Sequence, residues 1–245
     1  MKKSLLLITC FALVASAARL CAADSRAEFL KLLDRPRVPL APEIKEVGAK
    51  DGVTRFDFSY AADATNRVPG ILLKSATAPA GRRPVVIVLH GTGGTKEGEV
   101  AYMTELVKDG FIAVATDGRY HGARSKAGKG SAEYVDAILH TFRTGKEYPF
   151  FFDTAWDVMR LIDYLETRAD IDPKRIGIFG TSKGGIEAYL AAAADPRIAV
   201  AVPCIAVESF RWAAENNSGQ ACFGTVQAAF EAAAKDGVVE KPGGN

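Results

Sequence analysis

The chain has 245 residues, a formal net charge of +2 and four cysteines. Its excess of positive charge lies in residues 1–23, which contain Lys2, Lys3 and Arg19 and no acid, so the rest of the chain carries a formal charge of −1. The net charge therefore gives no reason to expect nucleic-acid binding, and about 220 residues are enough for one domain with a large core.

The N-terminus has the pattern of an export signal. Two lysines precede an apolar stretch over residues 4–17, which is too short to span a bilayer. Small residues precede two candidate cleavage points, after Ala17 and after Ala23, and the polar Asp24 favours the second. We therefore predict a signal peptide over residues 1–23, export to the periplasm or the extracellular space, and no stable membrane insertion after cleavage. A retained N-terminal anchor is the alternative.

The first part of the mature chain predicts a short helix and two antiparallel strands. Residues 26–33 have a helical pattern, and the prolines and the Asp51-Gly52 pair that follow predict an irregular approach. Residues 53–60 alternate with a period of two, as expected for a half-exposed strand, and residues 68–73 are its expected partner.

The pattern changes after Pro84 to continuous apolar runs, which are typical of parallel strands buried on both faces. These runs are residues 85–89, 111–115, 176–179 and 198–202. Helical stretches separate them, the clearest of which has Asp153 as its expected N-cap, and residues 120–150 are expected to form a surface excursion. This alternation predicts an α/β fold with a doubly wound, mostly parallel sheet and right-handed crossovers.

The chemistry centres on Ser182, in the hexapeptide Gly180-Thr181-Ser182-Lys183-Gly184-Gly185. A strand-like run precedes this G-x-S-x-G pattern and a helix-like run follows it, which is the setting of a nucleophile elbow. We expect Gly180 and Gly184 to be needed because side chains there would crowd the turn. The backbone N–H of Lys183 is expected to face the developing oxyanion.

Two further motifs follow predicted strands at the same edge of the sheet. His90-Gly91-Thr92-Gly93-Gly94 is a glycine-rich turn, in which the N–H of Thr92 is the expected second oxyanion donor and His90 is expected to hold the loop. The segment Asp117–Gly122 follows the next strand. His121 in this segment is open to two interpretations, a structural loop residue or a catalytic base, and the structural role is favoured.

Taken in order, the motifs HGTGG, DGRYHG and GTSKGG resemble those of the α/β-hydrolase superfamily, most closely its dienelactone-hydrolase and acetyl-xylan-esterase-like branch. The similarity extends from about residue 68 to about residue 235. The resemblance implies a serine hydrolase acting on a small-molecule or carbohydrate ester, without a cofactor. Phe151, Phe152 and Trp212 are candidate pocket residues by the same analogy.

The resemblance also implies that an Asp and then a His follow the nucleophile, but the histidines of this chain, His90, His121 and His140, all precede Ser182. Only 63 residues follow Ser182, whereas the remaining elements need roughly 80–90 residues. We therefore expect residues 24–245 to be an incomplete, C-terminally truncated hydrolase domain that lacks the last two strands, the triad Asp and the triad His. An exposed apolar sheet edge would then favour self-association.

Three functions remain open from sequence. The first is a serine esterase with impaired activity, and the second is a non-catalytic exported binding domain on the same scaffold. The third is a remnant of a prolyl-oligopeptidase-like peptidase, although residues 24–80 are too few for its propeller. Cys204 and Cys222 could form a disulfide or remain unpaired, and no spacing of metal ligands is present.

Overall fold

The computed structural model describes residues 25–126, 130–144, 150–206, 209–216 and 223–237. The predicted signal peptide lies outside these residues. Helix α1 covers residues 25–33, as expected, and belongs to a compact unit that ends at Asp34, while the chain from Arg35 onward forms a second unit. No helix in the described ranges is both long enough and apolar enough to cross a membrane.

The second unit is built on a seven-stranded sheet with the order β1-β2-β3-β5-β4-β6-β7. Its strands are β1 Glu43–Lys50, β2 Val53–Ala61, β3 Arg67–Ser75, β4 Arg83–Leu89, β5 Ile112–Thr116, β6 Ile171–Thr181 and β7 Ile198–Cys204. The pairs β1–β2, β2–β3 and β3–β5 are antiparallel, whereas β5, β4, β6 and β7 are parallel to one another. The predicted α/β class is confirmed, as is the antiparallel pairing of β2 with β3.

Strand β1 corrects one expectation. The proline-rich approach was expected to be irregular, but Glu43–Lys50 pairs with β2 along its whole length, with a bulge between Glu46 and Gly48. All eight of its residues are exposed, so it lacks the alternating apolar pattern that would predict a strand. Backbone pairing with β2 explains the strand instead.

The parallel strands β4, β5 and β6 form the core, as their apolar runs predicted. The run over residues 198–202 corrects this expectation: the five central residues of β7 are exposed, because β7 is the last strand of the described sheet and has a neighbour on one side only. All five residues of β5 are buried. On one face of the sheet, Val88 and Ala115 pack against Met103 and Val107 of helix α2. Helices α4 and α5 pack on each other and on β6, so the sheet carries helices beside its parallel strands in the manner of a doubly wound fold.

The helices of the second unit are α2 Val100–Lys108, α3 Gly130–Thr144, α4 Phe150–Glu166, α5 Lys183–Ala194, α6 Phe210–Glu215 and α7 Phe223–Lys235, with a 3-10 turn at Gly122–Arg124. Two expectations are corrected. The segment over residues 120–150 contains helix α3, and helix α4 begins three residues before Asp153, which lies in its first turn and pairs with Arg35 at 2.8 Å.

Candidate active site

Ser182 occupies the sharp turn that the sequence predicted between a strand and a helix. Strand β6 ends at Thr181 and helix α5 begins at Lys183. The backbone of Ser182 has φ 57° and ψ −118°, a conformation that costs energy for a residue with a side chain. The Ser182 N–H donates to the carbonyl oxygen of Cys204 at 2.8 Å, which ties the turn to the end of β7.

The glycines around Ser182 are required by close backbone packing. A Cβ atom at Gly184 would overlap the carbonyl oxygen of Leu89, and one at Gly180 would overlap the carbonyl oxygen of Gly184. A Cβ atom at Gly185 would lie 2.7 Å from the carbonyl oxygen of Cys204. Because each obstacle is backbone, it cannot be relieved by a change of rotamer.

The turn that follows β4 lies beside Ser182. A Cβ atom placed on Gly91 would lie 3.3 Å from the carbonyl oxygen of Thr181 and 3.8 Å from the Cβ of Ser182. The Gly94 N–H closes the turn on the carbonyl oxygen of Gly91 at 3.1 Å. Thr92 is exposed in this turn, and Gly93 has φ 77°. The two glycine-rich motifs of the sequence therefore meet at one edge of the sheet.

Both ring nitrogens of His90 are engaged in holding loops. Its Nδ1 lies 2.8 Å from the carbonyl oxygen of Gly91, and its Nε2 accepts the Gly118 N–H at 3.0 Å. The Nδ1 atom therefore carries the proton, because a carbonyl oxygen only accepts. Burial, together with the nearby Lys183 ammonium, lowers the pKa of His90 to about 3. A neutral ring thus joins the turn after β4 to the loop after β5.

Lys183 has a second feature besides its N–H at the start of α5. Its side chain is fully buried, and its Nζ donates to both carboxylate oxygens of Glu187 at 2.9 Å. Burial raises the pKa of Glu187, although Lys183 opposes that rise. Glu187 is not part of the motif around Ser182, but an oppositely charged pair four residues apart on a helix is a sequence signal that points to it.

Asp117 opens the segment that follows β5, and its role could not be predicted from the motif. Its carboxylate is fully buried and accepts the Lys96 backbone N–H at 2.9 Å, the Lys96 Nζ at 2.7 Å and the Ala123 N–H at 2.9 Å. Gly122 has φ 52°, and a Cβ atom there would overlap this carboxylate. Asp117 therefore joins the loops after β4 and β5 and fixes their spacing.

His121 lies in the same layer but has an open nitrogen. The centre of its ring is 5.0 Å from the centre of the His90 ring. The His121 ring stacks on the ring of Tyr134, with 5.8 Å between the two centres. Its Nδ1 is 2.8 Å from the carbonyl oxygen of Arg119, while its buried Nε2 has no hydrogen-bond partner among the described residues. Burial, with Lys183, lowers the pKa of His121. His140 is exposed on α3.

The remaining sequence candidates are spread more widely. Phe151 is buried in an apolar cluster with Tyr134 and Ile186, and Phe152 packs against that cluster. Trp212 is exposed on α6. The described residues contain no group of three or more His, Cys, Asp or Glu side chains that could hold a metal ion. Cys204 is half-buried and forms no disulfide within the described residues. Cys222 lies outside them, so a disulfide between the two stays a prediction.

Comparison with known proteins agrees with the motifs. The family model for glucuronyl esterases of fungi matches residues 71–234. A 4-O-methyl-glucuronoyl methylesterase of Phanerochaete chrysosporium is 32% identical over 137 residues, which cover 55% of this chain and 26% of that protein. A second such enzyme, from Sodiomyces alcalophilus, is 49% identical over 51 residues, or 20% of this chain and 10% of that protein. The matched regions thus span about a quarter or less of these relatives.

Solved structures show the same fold. Acetyl xylan esterase 1 of Thermoanaerobacterium sp. superposes with a TM-score of 0.64 at 22% identity, over 84% of this chain and 66% of that chain. The acetyl xylan esterase of Paenibacillus sp. R4 gives 0.63 at 19% identity, over 85% and 66%. At these identities the likeness establishes the α/β-hydrolase fold alone. Because the family match covers residues 71–234, well over half of the chain, the protein belongs to the glucuronyl esterase family.

Proposed function

We propose that the chain is a serine hydrolase scaffold for carboxylic esters of carbohydrates, with Ser182 as the nucleophile. The observation that carries the proposal is the strained turn at Ser182, held between β6 and α5 by glycines that tolerate no side chain. Strain that surrounding packing enforces is typical of functional residues. Family membership and the carbohydrate esterases among the relatives support an ester of a sugar as the substrate.

In the proposed reaction the Ser182 Oγ bonds to the acyl carbon and the carbonyl oxygen becomes an oxyanion. The backbone N–H of Lys183 donates a hydrogen bond to this oxyanion at the start of α5, where the helix dipole favours negative charge. The Thr92 N–H is the second donor, and the proximity of Gly91 to Ser182 supports this assignment. Collapse of the intermediate breaks the bond to the alcohol, and water then releases the acid from the acyl-enzyme.

The proton of Ser182 needs an acceptor, and we propose that the described residues do not supply it. Among them, the Ser182 Oγ has no hydrogen bond to a histidine. His90 uses both ring nitrogens elsewhere, and the buried Nε2 of His121 makes no hydrogen bond to any described residue, Ser182 included. The described residues would then provide the nucleophile and the oxyanion hole, and on their own they would hydrolyse esters slowly, because activity falls by several orders of magnitude without a base.

Chemical rescue tests this proposal. Hydrolysis of p-nitrophenyl acetate by the chain is measured with and without added imidazole, after subtraction of the reaction of imidazole alone. We expect weak activity that imidazole raises at least about tenfold, and neither activity nor rescue in Ser182→Ala. The control is Ser209→Ala, which removes an exposed serine. Equal activity of Ser182→Ala and the parent would refute Ser182 as the nucleophile.

A fluorophosphonate probe separates the two parts of the proposal. Slow labelling that disappears in Ser182→Ala is expected, because the probe reports an activated serine. Rapid, stoichiometric labelling of Ser182 without imidazole would contradict the absence of a base while leaving the nucleophile in place.

A further inference from the structure

A polar cavity of about 480 Å³ lies beside the loop that carries His121. The residues around it come from the β2–β3 turn, the loop after β5 and helix α3, and include Asn66, Arg119, Tyr120, Arg124, Lys126 and Asp136. We refer to it as the Arg124 pocket. None of these residues enters the ester chemistry proposed above.

The walls of the Arg124 pocket are held in place by buried ion pairs. Arg119 donates to Asp157 at 3.1 Å and to Asp63 at 3.3 Å, and Asp63 also accepts from Asn66 at 2.8 Å. Burial alone would raise the pKa of Asp63. The hydrogen bonds from Asn66 and Thr65 and the charge of Arg119 outweigh burial and lower this pKa to about 2. The β2–β3 turn is thus locked to the loop after β5, and the pocket is preformed.

Arg124 carries an unused donor in this wall. Its side chain is only 8% exposed, and its Nη1 binds Asp157 at 2.7 Å and the carbonyl oxygen of Asp117 at 3.1 Å. The Nη2 atom is buried and has no hydrogen-bond partner among the described residues. A buried guanidinium N–H without an acceptor is costly, so a shift of the Arg124 side chain that brought Nη2 to an acceptor in the pocket would be favourable.

Tyr120 lines the same pocket with a strained backbone. Its φ is 64°, which is rare for an aromatic residue. The side chain also packs against the apolar cluster of Tyr134, Ile138, Phe151 and Ile186. Strain of this kind persists where the surrounding structure enforces it, and it is concentrated at sites that bind or react.

The chemistry of the lining selects among ligand classes. Arginine and lysine side chains donate, the carboxylates of Asp136 and Glu133 accept, and Asn66 and Thr65 do both. The cations do not create an excess charge, because Asp63 and Asp157 lie behind Arg119 and Arg124. A neutral ligand that both donates and accepts through many hydroxyl groups fits this set better than an anionic group such as a carboxylate, which only accepts.

The pocket also has a fixed relation to the proposed nucleophile. Tyr120 precedes His121, whose ring is 5.0 Å from that of His90, and the adjoining Gly91 lies against Ser182. We propose that the Arg124 pocket is a binding subsite for a neutral sugar unit of the carbohydrate whose ester Ser182 attacks. This inference rests on the proposed function and adds the position at which the sugar chain is held.

Binding of xylotriose to the full chain tests the subsite without reference to turnover. Titration calorimetry or amide chemical shifts report saturation, and glucuronate serves as the anionic probe. We expect xylotriose to bind and glucuronate not to compete. Tyr120→Gly removes the ring and suits φ 64°, and Asp136→Ala removes an exposed acceptor. Each should weaken xylotriose binding, by about tenfold and about threefold respectively.

Glu105→Ala on α2, which does not line the pocket, is the matched control and should bind like the parent. Thermal midpoints of all variants show whether they fold. Absence of saturable binding, or unchanged affinity in the folded Asp136→Ala variant, would overturn the subsite, and binding of glucuronate alone would replace the neutral sugar by an anion. Imidazole-rescued hydrolysis of p-nitrophenyl acetate, measured separately, keeps failure of the subsite distinct from failure of the proposed function.

Discussion

The turn at Ser182 and the neighbouring edge strand β7 are joined by a hydrogen bond but differ sharply in packing. Around Ser182, backbone meets backbone so closely that three glycines have no room for a methyl group. On β7 the five central residues are exposed, and Val200 and Val202 present 60% and 47% of their surface. We therefore expect few substitutions to be tolerated in the turn at Ser182 and many to be tolerated on β7.

The difference has a physical origin. A turn in which backbone packs directly on backbone is determined by steric exclusion, which leaves few alternatives. An edge strand is determined on one side only, here by its pairing with β6, and within the described part of the chain the outer backbone groups of β7 pair with no further strand. The variants below test this contrast, beginning with the largest expected effect.

Removal of one charge behind the turn should have the largest effect. Glu187→Gln leaves the Lys183 ammonium buried without a carboxylate, which typically costs about 3–5 kcal/mol of unfolding free energy. The double variant Lys183→Met, Glu187→Leu removes both charges and should recover much of this loss. Urea unfolding measures both. If the single variant were no less stable than the double variant, the buried ion pair would not be part of what holds the turn.

Gly184→Ala tests the steric part of the contrast. The new Cβ would overlap the carbonyl oxygen of Leu89 and force the backbone to move, at an expected cost of about 3 kcal/mol. Gly177→Ala on the same β6 strand is the control, because its Cβ would lie 3.8 Å from its nearest neighbours. The control should change the unfolding free energy by less than about 1 kcal/mol. Equal effects would show that the turn is less tightly packed than described.

The packed region should also resist protonation. The pKa of His90 is about 3 in the folded chain, against an ordinary value of 6.5, so the unfolded chain takes up a proton first as pH falls. The resulting stability is fully present above pH 6.5 and is lost towards pH 3, with a slope of up to about 1.4 kcal/mol per pH unit. His121 contributes in the same direction.

Unfolding free energies measured between pH 7 and pH 5 check this slope. In His90→Gln the slope should be smaller than in the parent, whatever the change in absolute stability. An unchanged slope would mean that His90 is protonated as readily in the folded chain as in the unfolded chain.

At the exposed edge strand β7, we expect substitutions to change self-association rather than the free energy of unfolding. Val200→Thr with Val202→Thr should increase the monomer fraction in sedimentation experiments and change the unfolding free energy by less than about 1 kcal/mol. The control is Ile44→Thr with Val47→Thr on β1, the opposite edge, where charged residues and a bulge already oppose pairing. A monomeric parent, or an equal response at both edges, would contradict self-association through β7.

Sequence patterns predicted the parallel core well because burial on both faces leaves a continuous apolar run, as in β4 and β5. They also predicted the turn at Ser182, because a strand, two spaced glycines and a helix occur in order. Strand β1 was missed, since its stability comes from pairing with β2 and leaves no alternation. Helix α3 was missed because glycine and lysine dominate the start of its segment.

The site was predictable only in part, for a similar reason. Ser182, Thr92 and Lys183 lie in local motifs, so their positions could be inferred from neighbouring letters. Asp117 acts through Lys96, 21 residues away, and Arg124 through Asp157, 33 residues away. Such contacts depend on topology and not on spacing. The burial of the Lys183 side chain behind the turn could not be predicted either, because lysine is usually a surface residue.

The hydrogen bond from the Ser182 N–H to the Cys204 carbonyl has one more consequence. Because Cys204 is the last residue of β7, a second strand that paired with β7 and moved Cys204 would also move the backbone of Ser182. A strand that pairs there and shifts Cys204 would change the affinity of the serine region for an acyl analogue, and the analogue would change the affinity of the strand by the same factor.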